Sequence, residues 1–171
     1  MTTPDTAAML RVNQAGEYGA KRIYAGQLAV MGNRAPTASL IAEMAAQEER
    51  HLQGFNAMMS ARGVRPSLLQ PFWHVAGFAL GAATALIGPE AAMACTAAIE
   101  TEIDRHYTEQ REQLSDSDPA LSAAIADYQA DELAHRETAL AHGAEQAPAY
   151  PLMSALIRAG CRTAITLSKA I

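Results

Sequence analysis

Six residues carry the clearest chemistry in this chain: Glu17, Glu48, His51, Glu100, Glu132 and His135. They form two matched sets, each a Glu followed about thirty residues later by Glu-x-x-His. The stretch EYGAKRIYAGQ (17–27) aligns without gaps on ETEIDRHYTEQ (100–110), and IAEMAAQEERH (41–51) aligns on IADYQADELAH (125–135). In Glu-x-x-His the two side chains share one helical face, so one can bridge two ions while the other binds one of them terminally. One Glu from each of two helices plus a Glu-x-x-His from each of two others is the set that builds a carboxylate-bridged two-metal site inside a helix bundle. A lone Glu-x-x-His is more often an exposed salt-bridging pair; the ordered duplication is what points to metal. Oxygen and nitrogen donors without sulfur suit iron first and manganese second, rather than structural zinc. Six protein ligands on two ions leave positions open, and open positions on a redox-active pair invite O2.

Such a site needs helices that aim these groups inward. Proline and glycine punctuation predicts six of them, over roughly 5–32, 38–62, 71–87, 89–115, 119–142 and 151–170. Pro4, Pro89 and Pro119 are expected in first helical turns, Thr37 and Asp118 at N-caps, and Gly63 and Gly143 at C-terminal caps. The NRAP and GVRPS stretches are short connectors, so residues 1–171 read as one domain with repeat halves at about 5–62 and 89–142. Apolar stripes at helical spacing run through Leu10, Asn13, Glu17, Ala20 and Tyr24, through Ile41, Met44, Glu48, His51 and Phe55, through Met93, Ala97, Glu100, Ile103 and Tyr107, and through Leu121, Ile125, Tyr128, Glu132 and His135. Four carboxylates and two imidazoles therefore face one interior. Removing an unpaired carboxylate from water costs several kcal/mol, a scale of ~5, and Lys21, Arg22 and Arg105 are too few and badly phased to offset four. Two divalent cations would balance them.

Other residues read less sharply. Tyr24 and Tyr107 each follow a candidate ligand by seven residues, on the same face two turns on, and could donate to the ligands or simply pack. His106 lies about 120° around a regular helix from Glu100, so it reaches the site only through a local π-bulge. Glu49, Glu102, Asp104, Asp131 and Glu137 sit on other faces and are expected in solvent. His74 and His142 have no supporting constellation, and Cys95 and Cys161 read as buried reduced thiols rather than a disulfide or thiolate site.

Composition narrows the function classes. Half the residues are hydrophobic yet only 5% are aromatic, and alanine is abundant, which favours an all-α chain with close helix packing. A formal charge of −5 with no Lys/Arg block argues against a nucleic-acid partner. The first ten residues lack the features of a secretory or transit segment, as in a bacterial or already processed protein. From Pro66 to Pro89 no residue is formally charged, but prolines bound the run and it is too short and too rich in Ala and Gly to span a bilayer. It either packs on the bundle or rests its outer face, over about 71–87, in a membrane. The C-terminal helix, with Arg158, Arg162 and Lys169 beside its leucines, could lie on an anionic surface.

The strings RVNQAGEYGAKRIYAGQ, QEERH, AAIETEIDRHYTEQ, ADELAH, APAY and AGCR resemble the demethoxyubiquinone hydroxylases, ferritin-like di-iron monooxygenases of ubiquinone biosynthesis, along nearly the whole chain. The resemblance implies an all-α ferritin-like four-helix bundle with two additional helices and an internal two-fold pseudo-repeat. It implies two irons held by Glu17, Glu48, His51, Glu100, Glu132 and His135, with the Glu of each Glu-x-x-His bridging, and a role near the site for His106 and Tyr107. It further implies O2 as co-substrate, a polyprenyl quinol drawn from the membrane, and a lipid-binding partner from ubiquinone biosynthesis. The uncharged stretch then becomes a membrane-facing helix. The expected place is peripheral, on the cytoplasmic face of the cell membrane if the protein is bacterial, or on the matrix side of the mitochondrial inner membrane if organellar. The family is linked to NADH, but no G-x-G-x-x-G fingerprint occurs here, so a quinol or a reductase remains a possible electron source. Two positions depart from the family strings: Gln14 stands where many relatives have His, and Thr166 where some have Tyr. Iron oxidation and storage is the alternative function for the same ligands; a rubrerythrin-like peroxidase lacks its Cys pairs.

Overall fold

A computed structural model describes residues 4–32 and 35–170. It contains α1 (Thr6–Met31), α2 (Ala38–Arg62), α3 (Gln70–Ile87), α4 (Pro89–Leu114), α5 (Pro119–Ala141) and α6 (Tyr150–Ala170), with one 3₁₀ turn at Ala144–Gln146 and no strand among the described residues. Each helix falls within one residue of the bounds expected from sequence. The capping details differ in part. Asp118 caps α5 by accepting from Leu121 N at 3.1 Å, and Gly63 closes α2 at φ 64°, a left-handed conformation that glycine adopts without steric cost. Thr37 precedes α2 without a side-chain cap bond. Pro4 lies outside α1, whose cap is Asp5, accepting from Ala8 N at 3.0 Å.

Helices α1 and α2 form one antiparallel hairpin and α4 and α5 the other, and the two hairpins cross-pack α1 on α4 and α2 on α5. Helix α3 provides the long connection between them, as in ferritin-like bundles. It lies along α1, and α6 lies along α4 and α1. Small residues set the α1–α3 distance: a Cβ on Gly81 would collide with the Ile23 carbonyl, and one on Gly26 with the Phe78 carbonyl. So the uncharged helix does pack on the bundle. It buries the face carrying Gly77, Gly81, Thr84 and Ala85 and leaves Phe72, Val75, Leu86 and Ile87 exposed. No described helix is long and apolar enough to cross a membrane.

The apolar core divides into two layers. One gathers Met31, Ile41, Met44, Met93, Ala97 and Ala139; the other gathers Leu10, Phe55, Ile103, Leu114, Leu121 and Ile125. On every bundle helix the candidate ligands fall between the two, which is why the polar groups meet at one level.

Candidate metal centre

All six candidate ligands converge there. Glu17, Glu48, His51, Glu100, Glu132 and His135 are each no more than 3% exposed. They form two overlapping groups, Glu17–Glu48–His51–Glu132 and Glu48–Glu100–Glu132–His135, with the ligating atoms of each group within 4.8 Å of one another. Glu48 and Glu132 belong to both groups, while Glu17 shares a group with His51 and Glu100 shares one with His135.

The donor atoms are left open in the way a pair of ions requires. Glu17 Oε2, both oxygens of Glu48, Glu100 Oε2, Glu132 Oε1 and His51 Nδ1 are buried without a hydrogen-bond partner. His51 Nδ1 lies 3.1 Å from Glu132 Oε1 yet makes no hydrogen bond to it, a relation that suits two ligands of a common ion. Orphaned buried polar atoms are rare and costly in folded proteins, and six around one point fit a dinuclear divalent site.

Without metal, protons carry the compensation. Burial first, then the charges of Glu132 and Glu17, push the Glu48 carboxyl well above the ordinary range. Burial and Glu132 do the same to Glu100. Burial lowers the His51 imidazole, but Glu132 and Glu17 outweigh it and hold it at about 10. Burial raises Glu132 in turn, while His135 and His51 override it and keep that carboxyl at about 2. A metal ion entering this cluster would therefore displace protons.

Around the acids sits a reciprocal pair of tyrosines. The Tyr24 hydroxyl donates to Glu100 Oε1 at 2.7 Å, and the Tyr107 hydroxyl donates to Glu17 Oε1. Each lies seven residues after one Glu and bonds the other, so the repeat is stitched across its pseudo-two-fold axis. The outer nitrogens of the histidines also have partners: His51 Nε2 donates to Asp131 Oδ2 at 2.9 Å, and His135 Nε2 donates to Gln47 Oε1.

His106 does not join the acids. Helix α4 is regular throughout, without the π-bulge required, and His106 is absent from both metal groups. It is buried against Gln110, whose Nε2 donates to His106 Nε2 at 2.8 Å; Gln110 pairs in turn with Asn13. Burial drives its imidazole down to about 3, with Lys169 and Arg105 adding to the effect, so it stays neutral. It borders a cavity of about 410 Å³ between α1, α3, α4 and α6 that is lined mainly by apolar residues such as Ile23, Leu80, Ile99 and Ile165. Glu17 and Tyr107 reach the same cavity. At the surface side stands Leu156, which lines it while remaining 65% exposed. The Trp73 indole donates to Ser168 Oγ at 3.1 Å, tying α3 to α6 across it.

Residues 4–168 match the family described as Ubiquinone biosynthesis protein COQ7. The chain belongs to that family. It is 51% identical to the 3-demethoxyubiquinol 3-hydroxylase of Rhodospirillum rubrum over 98% of this chain and 81% of that one. It is also 51% identical to the mouse NADPH-dependent 3-demethoxyubiquinone 3-hydroxylase, mitochondrial, over 94% of this chain and 76% of that one. The yeast 5-demethoxyubiquinone hydroxylase, mitochondrial, is 41% identical over 92% and 74%. Relatives of this kind support an enzyme of the hydroxylase class.

Within this family member the two departures leave the acids untouched. Gln14 Nε2 donates to Asn56 Oδ1 at 3.2 Å, and Thr166 is exposed, its hydroxyl donating to the Arg162 carbonyl. Three expectations about neighbouring acids fail: Asp104 is only 24% exposed and accepts from Gln129 Nε2 at 2.7 Å. Asp131 is not a solvated bystander but the partner of His51, and Glu102 is completely buried, held by Arg158 at 2.7 Å, Arg162 at 2.9 Å and Arg105 at 3.0 Å. Periodicity missed Glu102 because α6, a helix distant in sequence, covers the face it occupies. Asp131 and Gln47 had one available signal, their equivalent places in the repeat, each one residue before the Glu of Glu-x-x-His.

Proposed function

We propose that this protein hydroxylates the ring of a demethoxyubiquinol with O2 at a carboxylate-bridged di-iron centre. The observation that carries the reading is the set of buried donor atoms without partners, bordered through Glu17 by an apolar cavity. The names of the relatives supply the substrate class. Glu17, Glu48, His51, Glu100, Glu132 and His135 would hold the irons, with Glu48 and Glu132 shared. Bound there, two irons would supply the multi-electron reduction of dioxygen that inserts one oxygen atom into a ring C–H bond and releases the other as water.

The chain's own residues do the rest. Tyr24 and Tyr107 hold Glu100 and Glu17 in place by hydrogen bonds. The mainly apolar lining of the cavity suits an apolar body, and exposed Leu156 marks a way in for a polyprenyl tail. His106, neutral and fixed by Gln110, offers a polar edge inside it. The exposed apolar residues of α3 and α6 suit a peripheral seat on a membrane, or a lipid-binding partner protein that delivers the quinol. Inserting one oxygen consumes two electrons beyond those of the C–H bond, and NADPH, named for several relatives, NADH, or a quinol could provide them.

Iron storage, the rival, has no use for an apolar cavity beside the acids. Product analysis tests the reading: anaerobically iron-loaded protein, given a demethoxyubiquinol with a reductant and then O2, should yield the hydroxylated ring, with label from ¹⁸O2. Failure to form product with iron demonstrably bound at the acids sinks it.

A further inference from the structure

The half-repeats agree in every proposed ligand and in both tyrosines, but diverge just outside the histidines. Asp131 and Gln47 are equivalent positions, and each serves the histidine of the opposite half. One is an anion and the other a neutral amide. Further features fall on His51 alone. Tyr128 stacks on its ring with centroids 4.3 Å apart, where the other half has Met44. Gly54 leaves room for that phenol, since a Cβ there would strike its hydroxyl. Asp131 is part-buried, its side chain 26% exposed, whereas Gln47 is exposed, so water competes harder for the amide.

Building on the di-iron reading, we propose that the two ion positions are unequal. The position formed by Glu17 and His51 binds a divalent ion more tightly than the one formed by Glu100 and His135, and Asp131 is the positioning residue that makes it so. Both histidines turn Nδ1 toward the acids. The hydrogen bond at Nε2 therefore fixes the tautomer whose Nδ1 lone pair points at the ion. A carboxylate at the outer N–H raises the basicity of the imidazole more than an amide does, and loss of such a partner costs roughly 10–100-fold in metal affinity. Arg50 pairs with Asp131 and draws on its charge, but the guanidinium is 53% exposed and screened by water, which leaves exposed pairs weak. The tighter position is also the one beside the cavity, because Glu17 lines it and Glu100 and His135 do not.

Stepwise titration of the metal-free full chain with Co(II), followed by calorimetry and visible absorption, reads this directly. Two resolved steps are expected, separated by roughly tenfold or more. Asp131→Asn should weaken the tighter step by roughly 10–100-fold and leave the other nearly unchanged, so that the steps merge. Gln47→Glu should tighten the weaker step and close the gap from the opposite side; it carries the test alone should Asp131→Asn melt early without metal. Equal affinities in the native chain overturn the inference while the two-metal reading survives. So does an Asp131→Asn effect spread evenly over both steps, or a Gln47→Glu variant with an unmoved weaker step. A chain that takes up fewer than two Co(II) ions overturns both.

Discussion

Two positions apart on α4, Glu100 and Glu102 are both buried carboxylates, and they are neutralised by opposite means. Glu102 keeps its counter-charges within the chain, with Arg158 and Arg162 arriving from α6 and Arg105 from its own helix. Glu100 shares its group with Glu48, Glu132 and His135, accepts from a tyrosine hydroxyl, and makes no ion pair with a lysine or arginine among the described residues. The first arrangement is a permanent clasp that docks α6. On the di-iron function proposed above, the second would be completed by exchangeable cations, and that would be the physical difference between a structural acid and a ligand.

The largest contrast should appear on removing a shared ligand. Glu48→Gln is expected to abolish binding of two ions per chain, while Glu102→Gln leaves the stoichiometry intact; metal analysis after dialysis checks both. Next in size is the effect of metal on stability. An ion that binds only the folded chain contributes about 2.7 kcal/mol at a hundredfold excess over its dissociation constant, so Fe(II) or Co(II) should raise the melting temperature of the native chain by several degrees and leave Glu48→Gln unmoved. Proton release on metal addition, read in weakly buffered solution, should accompany that stabilisation.

Titration separates the two acids by sign. In the metal-free chain Glu48 and Glu100 are raised above their unfolded values, so their contribution to stability is full below the unfolded carboxyl pKa and is lost as pH rises through the folded one. For Glu102 burial pushes upward, yet Arg158 and Arg105 outweigh it and hold the carboxyl below its ordinary value. Its contribution is present above the unfolded pKa and is lost as pH falls through the folded one. Chelator-treated native chain and Glu102→Gln, melted across the acid range, should therefore differ most above the unfolded carboxyl pKa and converge at the lowest pH.

Smaller still is Glu102→Gln at neutral pH. Breaking a buried pair costs about 3–5 kcal/mol, but these arginines are 41–47% exposed, and the discount for water brings the expectation to about 1–2 kcal/mol. Earlier proteolytic release of α6, with metal binding retained, is the readout. Tyr24→Phe should cost least, about 1 kcal/mol for one hydrogen bond, visible as a slight shift in denaturant midpoint.

What the residues alone determined was the rotational order within each helix. Glu17, Glu48, His51, Glu100, Glu132 and His135 fall on apolar stripes because helical periodicity is a local property, and the duplication said that all four stripes meet. The α1–α5 bounds were legible for the same reason, through Pro89, Pro119, Asp118 and Gly63. Contacts between helices were not. That Tyr24 reaches Glu100 rather than Glu17, that Asp131 serves His51, that His106 turns to a cavity and Glu102 vanishes beneath α6 all depend on the separation and relative rotation of elements distant in the chain. Those are fixed by packing, for example by glycines that let α3 lie against α1, and no periodicity within one helix encodes them.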